Sequence, residues 1–276
     1  MKKLLFLLLF PGLLWAQALE WKVSGFQVGV DGFDLTTICG GPFMHLDASD
    51  SNNLWTDASR TTHPTTDGET LAKADGISTN AHLFDITFDF WHTWDEAYQN
   101  SLDVIQKTDN GNSNRLETTF TAESFDSVTF IMVGEVSTIG TVDLHSVELY
   151  DDGGTAANAI RLSSQPSSET GWGFVYNSYE IQLHTDSAIT AATFHLIVVE
   201  IDFVNRTANQ YVDGTLEETD TTTGAGSAMT GIDTLRLSGN FDVIGEFLIY
   251  QDCEAYTDNK SGFDNYIDTK WAITGL

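Results

Sequence analysis

The chain predicts an all-β fold, a two-sheet antiparallel jelly-roll sandwich with a short C-terminal helical turn. Three observations carry that expectation. Helical periodicity is nearly absent, while short apolar runs rich in Val, Ile, Phe, Thr and Tyr recur between Gly, Asp, Asn and Ser. A hairpin pattern occupies the second half, and an apolar run, Ile244–Tyr250, leads into an amphipathic segment ending Lys270-Trp271.

In chain order, Met1-Lys2-Lys3, the apolar run Leu4–Leu14 and Ala16-Gln17-Ala18 have the layout of a signal peptide cut after Ala18. The apolar run is broken by Pro11-Gly12 and falls short of the roughly 20 residues that span a bilayer. Residues 19–42 form a Gly-rich lead-in, and 43–276 read as one sandwich domain. Candidate strands are Phe43–Asp47, Leu83–Phe90, Ser101–Gln106, Ser127–Glu135, Val142–Tyr150, Ala159–Ser163, Gly171–Tyr176, Ser178–His184, Thr193–Phe203, Ala208–Val212, Thr234–Leu237 and Val243–Tyr250. The hairpin runs from His195–Phe203 through a turn at 204–207 to Asn209–Val212, and Asp213-Gly214 ends it as a strong turn dipeptide. Ile197, Val199, Ile201 and Phe203 share one face because strand side chains alternate, which leaves Glu200 and Asp202 on a wetted face.

The formal charge is -28, from 12 Lys and Arg against 40 Asp and Glu. Such a field repels nucleic acid and anionic lipid. The acid is spread out and 41% of residues are apolar, so a packed core is affordable and wholesale disorder is not expected. The only cysteines, Cys39 and Cys253, flank the first and last strands; in an exported chain they are a disulfide candidate, provided the terminal strands are neighbours.

Several segments are familiar as a group. Leu46-Asp47-Ala48-Ser49-Asp50 with Asn53–Asp57 and Thr61–Gly68, the return strand Tyr211-Val212-Asp213-Gly214, and the closing Gly245–Tyr250 with Tyr266-Ile267 and Lys270-Trp271 resemble concanavalin A-like lectin/glucanase domains of the laminin-G type. The resemblance covers roughly 43–273, and residues 75–125 depart from the family pattern. It implies a two-sheet jelly roll with one concave face.

Glu200-Ile201-Asp202 invites comparison with the Glu-x-Asp-x-(x)-Glu strand of laminarinase-type glucanases in the same superfamily. Here Val204 or Asn205 stands where the second Glu belongs. Retaining glycosidases need two carboxyls about 5–5.5 Å apart, so the expectation is no catalytic residue. Calcium could be held by Asp47 and Asp50, with Asp57 nearby, or by Asp151 and Asp152, since it takes hard oxygen ligands; Asp and Gly clusters are also ordinary turns. No His or Cys spacing suggests zinc. Trp91, Trp94, Trp172 and Tyr176 sit among small and polar residues and are the candidate glycan-stacking rings, with core filling as the alternative for at least half of them. No phosphate loop, dinucleotide fingerprint or nucleophile elbow is present. The leading expectation is a secreted, non-catalytic binding or adhesion module with a glycan or a cell-surface or virion protein as partner. The alternatives are a structural subunit of an appendage or fibre, and a glycosidase with displaced acids.

Overall fold

The structure, a computed structural model, describes residues 33–76, 84–88, 92–107, 116–136, 145–151, 159–163, 172–176, 181–185, 189–190, 192–221, 226–237 and 241–276. The expected signal peptide, residues 1–18, lies outside these residues. Two antiparallel sheets pack face to face. The first contains, across the sheet, β15 (Thr215–Thr221), β14 (Thr207–Val212), β13 (Phe194–Asp202), β8 (Ser127–Val136), β17 (Phe241–Gln251), β6 (Leu102–Lys107) and β5 (His92–Gln99), and β1 (Met44–Asp47) also pairs with β17. The second runs β12 (Ile181–Thr185), β11 (Trp172–Tyr176), β10 (Ala159–Ser163), β9 (His145–Tyr150), β16 (Met229–Leu237), β7 (Leu116–Phe125), β4 (Phe84–Phe88), β3 (Lys73–Gly76) and β2 (Leu54–Trp55). Only backbone and register are described for β4 and β10 to β12.

Every expected strand run falls on one of these strands. The strands that the sequence pattern did not mark are β2, β3, β5, β7 and β15. They are short, polar on one face or at a sheet edge. β7 buries only Leu116, Thr118 and Phe125 among open or half-buried positions, and β15 is exposed along most of its length.

The inner layer is built by alternation. Met44 and Leu46 from β1, Phe247 and Ile249 from β17, and Ile197, Val199 and Ile201 from β13 meet Leu116, Val147, Leu149, Leu235 and Leu237 of the second sheet. Burying such side chains stabilises by about 1.5–3 kcal/mol each. The opposite face of the first sheet is covered too. Leu196, Val198, Leu248 and Tyr250 pack under α1 (Ala255–Trp271), against Tyr256, Phe263, Tyr266, Ile267 and Trp271. The closing helical turn of the sequence reading is thus a helix of 17 residues. Gly245 permits its close approach, since a Cβ there would stand 2.9 Å from Trp271 ring carbons. The β5–β6 connection clasps the helix end, with Gln99 Nε2 donating to the Trp271 carbonyl at 2.8 Å and Asn100 Nδ2 to the Lys270 carbonyl at 2.9 Å.

β1 lies beside β17 in register, Met44 opposite Ile249 and Asp47 opposite Glu246. Cys39 and Cys253 are consequently close and disulfide-bonded, with 6.3 Å between their Cα atoms across a separation of 214 residues. The bond pins a strap at the start of the described chain across the helix. On that strap Leu35 and Ile38 are buried, and Phe33 meets the Phe263 ring edge-on at 5.1 Å. Asp213 and Gly214 carry the positive φ values of a tight turn, 45° and 75°, and link β14 to β15.

Candidate binding face

Among the described residues, one sheet face has no covering layer. It is the outer face of the second sheet, and its register places a single row of residues across the strands. Trp55 on β2 is opposite Lys73 on β3, Lys73 opposite Thr87 on β4, and Thr87 opposite Glu117 on β7. Glu117 is opposite Arg236 on β16, Arg236 opposite Glu148 on β9, and Glu148 opposite Arg161 on β10. Six inter-strand steps of about 4.8 Å make a row about 29 Å long. Lys73, Arg236 and Arg161 come from the chain's 12 Lys and Arg residues, so an acid-rich chain places scarce positive charge here, alternating with Glu117 and Glu148.

Local contacts fix the described side chains of this row. The Arg236 guanidinium lies 4.5 Å from the centre of the Tyr150 ring and donates through Nε to Glu117 Oε2 at 2.5 Å. Its Nη1 is 3.9 Å from Glu148 Oε2. Burial alone would lower the Arg236 pKa, but the Glu117 hydrogen bond, Tyr150 and the two carboxylates outweigh it and raise it. At the β2 end the indole of Trp55 packs 3.9 Å from the His63 ring and donates to Asp75 Oδ2 at 3.0 Å. Arg60 Nε reaches Asp75 Oδ1 at 3.0 Å. The loop beside Trp55 is organised by Asp57, which accepts from the backbone of Ser59, Thr61 and Thr62. An aromatic ring fixed by a polar tether can stack on an apolar ligand face while its neighbours hydrogen-bond at the ligand's edge.

The residues selected from sequence lie elsewhere. Trp94 is 5% exposed and belongs to the inter-sheet core. Trp91 lies outside the described residues. Trp172 and Tyr176 are the first and last residues of β11, and their side chains are outside the description. Asp47 directs Oδ2 to Lys270 Nζ at 2.7 Å and Oδ1 to Ser49. Asp50 accepts from Asn52 and Asn53 in its own turn. Asp151 ends the described part of its segment, half-buried, and Asp152 lies outside it. Among the described residues, the one group with metal-ligand geometry is His45, Asp47 and Glu246, and the Lys270 ammonium sits between its two carboxylates.

Glu200 requires a correction. It is 2% exposed rather than wetted, because α1 docks on that face of β13. Its Oε1 accepts from the backbone N–H of Tyr256 at 2.8 Å and of Thr257 at 3.1 Å, and its Oε2 accepts from the Thr257 hydroxyl. The helix has no cap of its own from Glu254, and Glu200 satisfies the free N–H groups of its first turn. Asp202 accepts from Asn205 N and Nδ2 at 2.7 and 2.6 Å. Both acids of the glucanase-like run are therefore engaged in structure. A half-buried His195–Asp213 pair at 2.7 Å is engaged as well, since His195 Nε2 accepts from the Thr190 N–H at 3.0 Å.

Fold and face together define a helix-backed β-sandwich with one sheet surface uncovered among the described residues. The solved structure of the botulinum neurotoxin serotype D binding domain is similar to it, with a TM-score of 0.52 and 9% identity over 83% of this chain and 52% of that one. The Ruminococcus gnavus IT-sialidase CBM40 bound to α2,3-sialyllactose aligns with a TM-score of 0.39 and 14% identity, over 55% of this chain and 84% of that one. Likeness at these identities concerns the fold. No protein-family model and no curated protein matches the chain. No helix among the described residues is long and apolar enough to cross a membrane, which says nothing of strands.

Proposed function

We propose that this chain is an exported, non-catalytic binding module that holds a glycan chain along the uncovered face of its second sheet. The observation that carries the reading is the row from Trp55 through Lys73, Glu117, Arg236 and Glu148. It combines an aromatic ring with alternating donors and acceptors on a rigid sheet, and the other outer face is sealed by α1. Sugars offer hydroxyls as donors and acceptors at their edges and apolar C–H faces to rings, and this row supplies both counterparts. A row about 29 Å long suits an extended oligosaccharide better than a single sugar. The neurotoxin domain of similar fold is itself a binding domain.

A glycan array probed with the full chain tests this, followed by titration of the best ligand against Trp55→Ala and Arg236→Ala. Binding should fall at least tenfold in each variant while melting temperature changes little. Absence of binding across the array, or binding indifferent to both substitutions, defeats the proposal.

A further inference from the structure

The buried cluster between β1, β17 and the end of α1 has the composition and geometry of a site that joins its own chain covalently. Lys270 Nζ is 2.7 Å from Asp47 Oδ2 and 2.9 Å from Glu246 Oε2, across 223 and 24 residues of sequence. The side chains of Lys270, Asp47 and Glu246 are 6%, 8% and 0% exposed. We infer that Lys270 and Asp47 condense to an intramolecular isopeptide bond, with Glu246 as the proton carrier.

Each part of that reaction has a group in place. The Asp47 carboxyl presents one oxygen to the amine. Its other oxygen, Oδ1, accepts from the Ser49 N–H at 3.0 Å and the Ser49 hydroxyl at 2.6 Å, donors positioned where charge would develop on attack. Glu246 is oriented by His45 Nε2 and the Tyr266 hydroxyl on Oε1, each at 2.7 Å, and by the Trp271 indole on Oε2 at 2.9 Å. His45 Nδ1 is buried without a hydrogen-bond partner among the described residues. A cavity of about 10 Å³ reaches Glu246 and is near the lower limit for one water molecule. Reactants held in such contact reach effective molarities of about 10⁵ M or more, which speeds an amide-forming step that dilute amine and acid scarcely take.

The step balances. Nζ passes one proton to Glu246 Oε2, and its lone pair then adds to Cγ of Asp47. The displaced electron pair moves to Oδ1, facing the Ser49 donors. The pair returns as the Cγ–Oδ2 bond breaks, and Oδ2 leaves with the proton from Glu246 and a second proton from Nζ. An ammonium and a carboxylate become a neutral amide and one water, with no oxidant, no reductant and no net change of charge. The ion pair opposes the first step, because burial lowers the Lys270 pKa but Asp47 and Glu246 more than restore it. Condensation is accordingly slow, and the unreacted ion pair is the competing end state.

Intact mass spectrometry of the full chain, fully reduced and denatured, separates the two states. The expected mass is one water below that of the sequence as processed, and a protease digest contains one branched peptide joining the Asp47 and Lys270 segments. Lys270→Arg and Glu246→Gln should restore the missing water. A wild-type mass without the deficit overturns the inference, as does a deficit that maps to one linear peptide. The wild-type measurement decides whether or not the variants fold.

Discussion

On the helix-covered face, Glu246 is surrounded by Lys270, His45, Tyr266 and Trp271, and its carboxylate is wholly buried. On the opposite face, Arg236 lies between Glu117 and Glu148 and keeps its side chain 21% exposed. Both sites set a base between two acids, the first with its Lys on α1 and the second wholly on paired strands, and they differ in the layer above them. Where a helix closes over the sheet, each charge needs complete hydrogen bonding, because a buried ion that loses its partner is costly. Where no described residue closes over the sheet, water screens the charges and their pairing contributes little stability. The same kind of sequence can therefore anchor one face and serve recognition on the other.

The contrast can be broken most severely at Glu246. Glu246→Ala leaves Lys270 and His45 buried opposite an empty position and should cost about 3–5 kcal/mol in denaturant unfolding. The pH dependence sharpens this expectation. Burial would raise the Glu246 pKa, but in chains whose Lys270 is an uncondensed ammonium that charge, with His45 and Trp271, holds it well below the usual carboxylate range. A depressed carboxyl stabilises fully above its unfolded value of about 4.3, and the contribution is lost as pH falls toward the folded value. In those chains melting temperature should hold steady through neutral pH and drop below about pH 4.3, and in Glu246→Ala much of that acid-side drop should vanish.

Replacing Cys39 and Cys253 together by Ser should cost about 2–5 kcal/mol, since the bond closes a loop of more than 200 residues in the unfolded chain. Glu200→Ala follows, at about 2–3 kcal/mol, because the Tyr256 and Thr257 N–H groups lose their acceptor in a buried place; the loss should show as faster amide exchange in the first turn of α1. The smallest stability effect belongs to the open face. Arg236→Ala should change unfolding free energy by less than about 1 kcal/mol while weakening ligand binding. A comparable stability loss at Arg236 and Glu246 would erase the distinction between the faces.

Much of the sandwich was legible because its central strands are apolar runs. β13 is buried at every position but its last, and β8 and β17 carry runs of Val, Ile, Phe and Leu. β7 was missed because Glu117, Thr119, Thr121 and Glu123 dilute its apolar positions, and those open positions are a consequence of the bare face it helps to form. The binding row was beyond reading for a related reason. Trp55, Lys73, Glu117, Arg236 and Glu148 meet only once the register of separate strand pairs is fixed, and no local spacing encodes that. Lys270 and Asp47 are 223 residues apart and share no motif. Glu200 shows the converse, where a local motif drew attention and the tertiary partner, the N-terminus of α1, decided the role.

The position of β17 has a consequence for biosynthesis. It joins β8 to β1 and β6 at the middle of its sheet, yet it is the last of these strands to be translated. Until residues 241–251 emerge, the growing polypeptide holds β8 with one edge unpaired, and such an edge invites association with other chains. A ribosome-stalled product ending before Phe241 should therefore depend on chaperones in a way that the finished protein does not.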